Sequence, residues 1–324
     1  MNKEKIKLFK SRNFGETIGV AFDLLGQNFS FISRCFLVFV MPFLVFSLLT
    51  FVLGVVATLR RQTMIYSGSH SSSMMETVGI IVGYFAYIFT FFVQSVVMHE
   101  VIIAYESSDD PSQLRVSHVW AMIKADTAQI IGSFIFLLLL IFPVAFASAA
   151  IIGVGAMISS SAGGFAVLVA YAGMIYLQIC LSNYLMLRLR SEYGAFTSLK
   201  KSISITFGNW RWWKTFGVTL VMSIITSGFY TFSFWPFSLL LYLLVNHFRP
   251  LLSTQHAQDI AYVVVTVAVI YAGIVIAYFC NLIVIGASVN YYSLIEDSEH
   301  VGLTMNIEQI GIKDEAKKMQ EGEY

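Results

Sequence analysis

Charged residues are scarce in this sequence of 324 residues: Asp, Glu, Lys and Arg together make up 12% of it, against about 25% in soluble domains. Hydrophobic residues make up 57%, and the mean hydropathy is +0.74. The formal net charge of +1 argues against a nucleic-acid-binding protein, because such proteins carry a strongly basic face. The composition therefore excludes an ordinary soluble globular protein and predicts a membrane protein.

Cysteine and reactive motifs are rare as well. The three cysteines, Cys35, Cys180 and Cys280, all fall within apolar runs, so no disulfide framework is expected. The sequence contains no P-loop, no dinucleotide-binding fingerprint, no H-E-x-x-H and no G-x-S-x-G. The pair His99–Glu100 lacks a second metal ligand four residues later. We therefore expect a protein that is not an enzyme and that binds no metal and no cofactor.

Six apolar runs are long enough to cross a bilayer, whose hydrocarbon core of about 30 Å needs about 20 helical residues. Each run must be helical, because lipid offers no hydrogen-bond partner to a free backbone N–H or C=O. The predicted spans are 35–59, 78–104, 130–158, 165–186, 215–235 and 261–288.

The basic residues predict the orientation of these spans. Seventeen of the 20 Lys and Arg residues flank one side of the predicted membrane, and the opposite side has only Arg60, Arg61 and Arg249. By the positive-inside rule both termini are expected to be cytoplasmic. The chain divides into a leader (1–11), a single six-helix transmembrane domain (12–293) and a C-terminal segment (294–324) whose end is expected to be disordered.

The spans follow one repeated order of parts. An amphipathic stretch precedes each odd-numbered span, with apolar stripes beginning at Phe14, Val116 and Phe196, and such helices typically lie in the membrane interface. The repeat units are about 12–106, 113–192 and 195–293. We predict an all-α polytopic membrane protein with six transmembrane helices in three parallel repeats, each an amphipathic interfacial helix followed by a transmembrane hairpin.

The first and third units also align residue by residue, with Asn28 on Asn209 and Phe29 on Trp210. Chance similarity between two junctions that both favour aromatic residues is the alternative explanation. The repeat predicts that tryptophans anchor the cytoplasmic interface. These anchors are Trp120, Trp210, Trp212 and Trp213.

Polar side chains within the spans are few. Gln94, Gln178 and Asn281 each lie twelve residues before the end of an even-numbered span, which places them at a matching depth about 18 Å along the helix. Asn183 and Asn290 extend this polar side toward the cytoplasm. Hydrogen bonds that hold helices together are one interpretation, and a polar path for a substrate is the other.

Glu100, next to His99, is the ionisable residue that the pattern singles out, because such groups are costly inside a bilayer. One interpretation is that it reaches the headgroups or meets Arg188 or Arg190. The alternative is a buried proton or ion site.

Small residues recur at four-residue spacing in the even-numbered spans, which favours close helix contacts. The first such motif is Gly79-x-x-x-Gly83.

Three stretches resemble a known family. They are 12–18, the run 200–205 followed by 208–217 (Gly-Asn-Trp-Arg-Trp-Trp-Lys-Thr-Phe-Gly), and 290–296 with its continuation 307–311. Together they resemble a poorly characterised bacterial family of six-span proteins, similar to the membrane domain of some glycerophosphoryl diester phosphodiesterases. The catalytic domain of those enzymes is absent here, so their activity does not transfer. The resemblance implies a protein of the bacterial cytoplasmic (inner) membrane.

The sequence favours a non-enzymatic function as a scaffold or subunit of a larger membrane complex. Its expected partners are membrane lipids and other integral membrane proteins, or a second copy of the chain, and no nucleic acid. The alternative is a transporter or lipid-handling protein that uses a polar cavity between the even-numbered helices. An enzyme acting on lipid headgroups would need Glu100 and His99 in a cleft beside Arg188 or Arg190.

Overall fold

The structure of this protein is a computed structural model that describes residues 5–66, 74–191, 193–208, 211–248 and 255–300. Across these ranges the chain forms helices and no β-strand. Six helical stretches are long and apolar enough to cross a membrane. The protein is therefore an all-α, multi-pass membrane protein, as the sequence predicts.

The α-helices in the described ranges are, in chain order, α1 (Phe14–Gln27), α2 (Phe29–Cys35), α3 (Met41–Tyr66), α4 (Met74–Ser107), α5 (Val116–Ala125), α6 (Thr127–Ile158), α7 (Ser160–Leu181), α8 (Tyr184–Arg190), α9 (Ala195–Phe207), α10 (Trp212–Phe248) and α11 (Gln255–Glu299). A π-helical turn, Phe36–Val40, joins α2 to α3, and a 3-10 turn, Pro111–Gln113, lies ahead of α5.

The spans agree in number and order with the sequence prediction; they are Phe29–Val52, Ile81–Ser107, Thr127–Ile158, Gly163–Arg190, Trp212–Pro236 and Thr266–Glu299. The first begins ahead of its predicted start at Cys35, because α2 continues through the π-helical turn directly into α3. That turn lies just before Pro42, whose ring would clash with the carbonyl four residues earlier in a regular α-helix. The wider π turn leaves room for this carbonyl.

Three short helices, α1, α5 and α9, precede the odd-numbered spans. The first begins at a capping box, in which the Glu16 N–H donates to Asn13 Oδ1 (2.8 Å) and the Asn13 N–H donates to the Glu16 carboxylate (3.2 Å). The offset that places Asn28 on Asn209 also matches buried positions of α1 and α9. The matched buried pairs are Thr17 and Ser198, Ala21 and Ser202, and Leu24 and Ile205. The predicted place of these helices in a membrane interface stays a prediction.

The packing of these helices follows a ring. The hairpins α3–α4, α6–α7 and α10–α11 each pack internally, and each short helix packs on the even-numbered span of the unit before it. Thus α5 lies on α4, α9 lies on α7 and α8, and α1 lies on α11, which closes the ring from the last unit to the first. The arrangement matches the three predicted repeats, although α6 and α7 contact the other hairpins more sparsely.

Hydrogen bonds at one end of the bundle tie the first unit to the last. The Arg12 N–H donates to Ser293 Oγ (3.0 Å), and the Lys214 ammonium donates to the Arg12 carbonyl (2.6 Å) and to Ser293 Oγ (2.8 Å). We call this end, where the even-numbered spans finish, the basic end. The sequence predicts that it faces the cytoplasm.

A close backbone contact holds α3 against α4 at Gly83. A Cβ atom there would lie 2.8 Å from the backbone nitrogen of Phe51 and 2.9 Å from its Cα. No side chain fits such a space without moving one helix away from the other. The first predicted small-residue motif therefore lies at a helix–helix contact.

We expect Gly83→Ala to lower the thermal midpoint in detergent, because its methyl group forces α3 from α4, and overpacking typically costs about 1–3 kcal/mol. Gly173→Ala is the matched control: this glycine is also within a span, and nothing lies within 4 Å of its Cβ position. Thermal unfolding followed by circular dichroism measures both. A midpoint for Gly83→Ala equal to that of the wild type would contradict the contact.

Candidate functional site

Two amides, Gln94 on α4 and Asn281 on α11, form a buried pair between the first and third units. The Gln94 side-chain N–H₂ donates to Asn281 Oδ1 (2.8 Å) and to the Ala277 carbonyl (2.5 Å). The two residues are 1% and 2% exposed. They lie at one depth, as their spacing predicts, and the pair excludes solvent. This geometry is that of a hydrogen bond that holds helices together.

The third amide, Gln178, does not join this pair and is exposed on α7. The expectation that all three amides face inward together is therefore wrong for Gln178. Its depth was counted along one continuous helix, but α7 ends at Leu181 and α8 begins at Tyr184. The count therefore did not fix the direction of Gln178, which lines the cavity described below and does not meet the other two amides.

The two asparagines nearer the basic end are each bonded to a threonine. The Asn183 side-chain N–H₂ donates to Thr206 Oγ1, and that of Asn290 donates to Thr215 Oγ1, both at 3.0 Å. Asn183 and Asn290 are 0% and 1% exposed. Each therefore fixes an even-numbered span against a neighbouring helix.

A repeat that the sequence analysis missed relates His99 to Asn183 and Asn290. Each is followed eight residues later by a serine, at positions 107, 191 and 298. Each of these serine hydroxyls donates to the carbonyl four residues before it. The three even-numbered spans thus end alike in sequence, with a buried polar side chain eight residues before a serine. In the first unit that side chain is a histidine.

The histidine at this place has one unused nitrogen. His99 is 3% exposed, and its Nδ1 lies 2.6 Å from the carbonyl oxygen of Ser95. A carbonyl can only accept, so Nδ1 carries the proton and donates it. Nε2 has no hydrogen-bond partner within the described part of the chain. A neutral ring therefore offers a bare acceptor inside the membrane domain.

His99 lines an interhelical cavity of about 380 Å³ between spans of all three units. Its walls come from α4, α6, α7, α8, α10 and α11, and most of them are apolar, among them Leu177, Ile283 and Val284. The polar side chains in the lining are Ser95, His99, Gln178, Ser182 and Thr219. The volume lies within the range of small-molecule sites. No Asp, Glu, Lys or Arg is among the lining residues.

Glu100 lies next to this cavity but points elsewhere. It is 0% exposed, so the expectation that it reaches the headgroups is wrong. Its carboxyl group faces Asp126, at the start of α6, and the Arg188 charge acts on Asp126. Burial raises the pKa of Asp126, and the Arg188 charge opposes that rise.

The contact between Glu100 and Asp126 joins two acids, and such a pair can form a hydrogen bond only when one of them carries a proton. Neither oxygen of Glu100 meets a donor among the described residues. The other predicted partner, Arg190, lies instead 3.7 Å from Glu106. The pair is thus a polar contact between the second span and the start of the third. Glu100 is not among the lining residues of the cavities described in this article.

Three of the tryptophans predicted as anchors lie on described helices, Trp120 within α5 and Trp212 and Trp213 at the start of α10. Trp120, on α5, is 54% exposed and stacks on Phe39 at 5.9 Å between ring centroids. Trp212 and Trp213 stack at 3.8 Å at the start of α10. Trp210 lies outside the described residues.

No family model, no curated protein and no solved structure matches this chain. The resemblance to the six-span membrane domain therefore stays a prediction.

We expect Gln94→Leu and Asn281→Leu to lower the free energy of unfolding non-additively, because each variant removes the same hydrogen bond. The coupling in a double-mutant cycle is expected to be about 0.6–1.7 kcal/mol. Gln178→Leu, which changes an exposed amide, serves as the control and should leave stability near that of the wild type. Strictly additive losses in the cycle would show that the bond contributes nothing.

Proposed function

We propose that this chain is a non-enzymatic integral membrane protein that binds one amphiphilic molecule, such as a membrane lipid, in the interhelical cavity. The observation that carries the proposal is a largely apolar cavity lined by His99, whose buried Nε2 atom has no hydrogen-bond partner among the described residues. A polar atom without a partner in such surroundings is costly. A ligand that donates a hydrogen bond to Nε2, once the side chains that cover this buried atom move aside, would remove this cost.

The lining supports an uncharged ligand. Because no Asp, Glu, Lys or Arg lines the cavity, an ion or a charged headgroup would lose its hydration without compensation. A hydroxyl or amide group next to a hydrocarbon chain fits better. The hydroxyl or amide would donate to His99, and Gln178 and Ser182 lie within the same lining. The hydrocarbon chain of the ligand would contact Leu177 and Ile283, which also line the cavity.

This geometry favours the lipid-handling alternative over an ion-coupled transporter. The proton or ion path would need Gln94 and Asn281 to be reached by water, but this pair is buried and bonded to itself. Gln94 and Asn281 thus support a structural role for these amides and not a polar path for a substrate.

A role as scaffold or subunit is the second candidate, and one observation favours it. The most apolar window of the third span is 0% buried, whereas those of the first and last spans are each 39% buried. This span therefore offers its apolar surface to lipid, to another integral membrane protein or to a second copy of the chain. The predicted orientation, with both termini in the cytoplasm of a bacterial cell, belongs to the same proposal.

Filling the cavity tests the first candidate. Ala287 lines it, on α11, so Ala287→Phe is expected to lower the occupancy of a co-purified amphiphile by about tenfold or more, as a loss of at least 1.4 kcal/mol would. Native mass spectrometry in mild detergent measures this occupancy. Ala172→Phe is the control, because Ala172 is exposed on α7 outside the cavity.

The wild type and Ala172→Phe are expected to keep about one bound amphiphile per chain, which solvent extraction and lipid analysis then identify. A wild-type protein that carries no stoichiometric amphiphile would overturn the proposal. Equal occupancy in Ala287→Phe and the control would do the same. Gel filtration shows that each variant remains folded.

A further inference from the structure

A second cavity, separate from the first, opens at the basic end. It has a volume of about 440 Å³ and lies where the N-terminal segment, the start of the first span, the end of the second span and the connection 110–116 meet. None of its lining residues also lines the interhelical cavity. We call it the basic cleft.

Three cations line the basic cleft: Lys5, Arg34 and Arg115. They come from three segments far apart in sequence, so the fold gathers them. Asp110 is the acidic side chain in the lining, which leaves a net charge of +2 from three cations and one anion. A concentrated positive charge of this kind attracts anions.

The single carboxylate of the lining is already engaged. Asp110 accepts hydrogen bonds from the Ser112 N–H (3.0 Å), the Ser112 hydroxyl (2.7 Å) and the Gln113 side chain (3.0 Å). These bonds lower the pKa of Asp110, so it stays ionised at neutral pH. Asp110 is tied to its own turn and forms no ion pair with either arginine.

Lys5 is held without being neutralised, and the two arginines form no ion pair with a described residue. The Lys5 ammonium donates to the carbonyls of Glu106 and Ser108, both at 2.7 Å, and these neutral partners fix its position while leaving its charge. Arg34 and Arg115 are exposed, and neither forms an ion pair with a described residue. Two guanidinium groups are therefore open to a ligand.

Further donors border the same space. The Tyr105 hydroxyl accepts from the backbone N–H of Ile6 (2.9 Å), which leaves its own O–H free to donate, and the Ser30 hydroxyl also lines the cleft. Phe31, Leu114 and Val116 form an apolar part of the wall. Donors and cations beside an apolar strip match a phosphate group attached to a glycerol and its acyl chains.

We propose that the basic cleft binds the phosphate group of an anionic phospholipid, with Arg34 and Arg115 on the phosphate oxygens. Arginine is the side chain suited to this role, because its planar fork matches phosphate oxygens bidentately. The position of the cleft also fits, since Arg34 lies near the start of the first span, where headgroups meet the protein. Basic pockets between transmembrane helices bind such headgroups in other proteins.

The test compares the wild-type chain with a double variant that carries both Arg34→Gln and Arg115→Gln. Native mass spectrometry measures the binding of phosphatidylglycerol and of phosphatidylcholine added to the detergent-solubilised protein. We expect the wild type to prefer phosphatidylglycerol, and the double variant to bind it more weakly by roughly an order of magnitude. Arg34→Lys, which keeps the charge but not the fork, should fall between them.

The matched control is the pair Lys124→Gln and Lys200→Gln, which removes the same charge from exposed positions outside the cleft. It should bind phosphatidylglycerol as the wild type does. Equal weakening in both double variants would overturn the site in favour of a diffuse charge effect, and a wild type with no preference would also overturn it. Displacement of phosphatidylglycerol by an equal concentration of inorganic phosphate would assign the cleft to free phosphate and overturn the lipid assignment.

The outcome is independent of the interhelical cavity. Ala287→Phe leaves the basic cleft intact, so it should keep the preference for phosphatidylglycerol even where it loses the co-purified amphiphile.

Discussion

A polar atom within hydrocarbon has to find its hydrogen-bond partner inside the protein, because lipid offers none. Most of the chain obeys this constraint with local bonds: serine and threonine hydroxyls in the spans donate to carbonyls three or four residues earlier. The side-chain N–H₂ groups of Asn183 and Asn290 obey it by donating to threonines on neighbouring helices, whereas their Oδ1 atoms have no partner among the described residues. The Nε2 atom of His99 remains unpartnered among the described residues. Other buried polar atoms also lack a partner there, among them the Oε1 atom of Gln94. Of the residues with such an atom, His99 is the one that lines the interhelical cavity, which is why it marks the candidate binding site.

The three units share one order of helices, but the polar side chains near the ends of their even-numbered spans have different surroundings. Where the second and third units place Asn183 and Asn290, each bonded to a threonine, the first places His99 at the border of a cavity. The cavity exists because the α6–α7 hairpin packs less closely on the other two hairpins than they pack on each other. The position of the second unit therefore sets the size of the interhelical cavity.

Sequence reasoning predicted the six spans and their order, because an apolar run of membrane length has only one low-energy structure in lipid. It also placed Gln94 and Asn281 at one depth, because spacing along a continuous helix converts directly to distance. It failed for Gln178, where a helix break at 182–183 has no strong signal such as proline. The basic cleft was missed because Lys5, Arg34 and Arg115 become neighbours only through tertiary packing.

The two cavities differ in charge, and this difference determines what each can hold. A phosphate in the interhelical cavity would be desolvated without an opposite charge, which costs far more than one hydrogen bond to His99 returns. In the basic cleft the arginines remain exposed, so a phosphate gains charge-assisted bonds while it stays partly hydrated. A ligand of the first cavity is therefore selected by its apolar chain and one donor, and a ligand of the second by its charge. One lipid class would not satisfy both proposed sites equally, because the first cavity disfavours charge and the second attracts it.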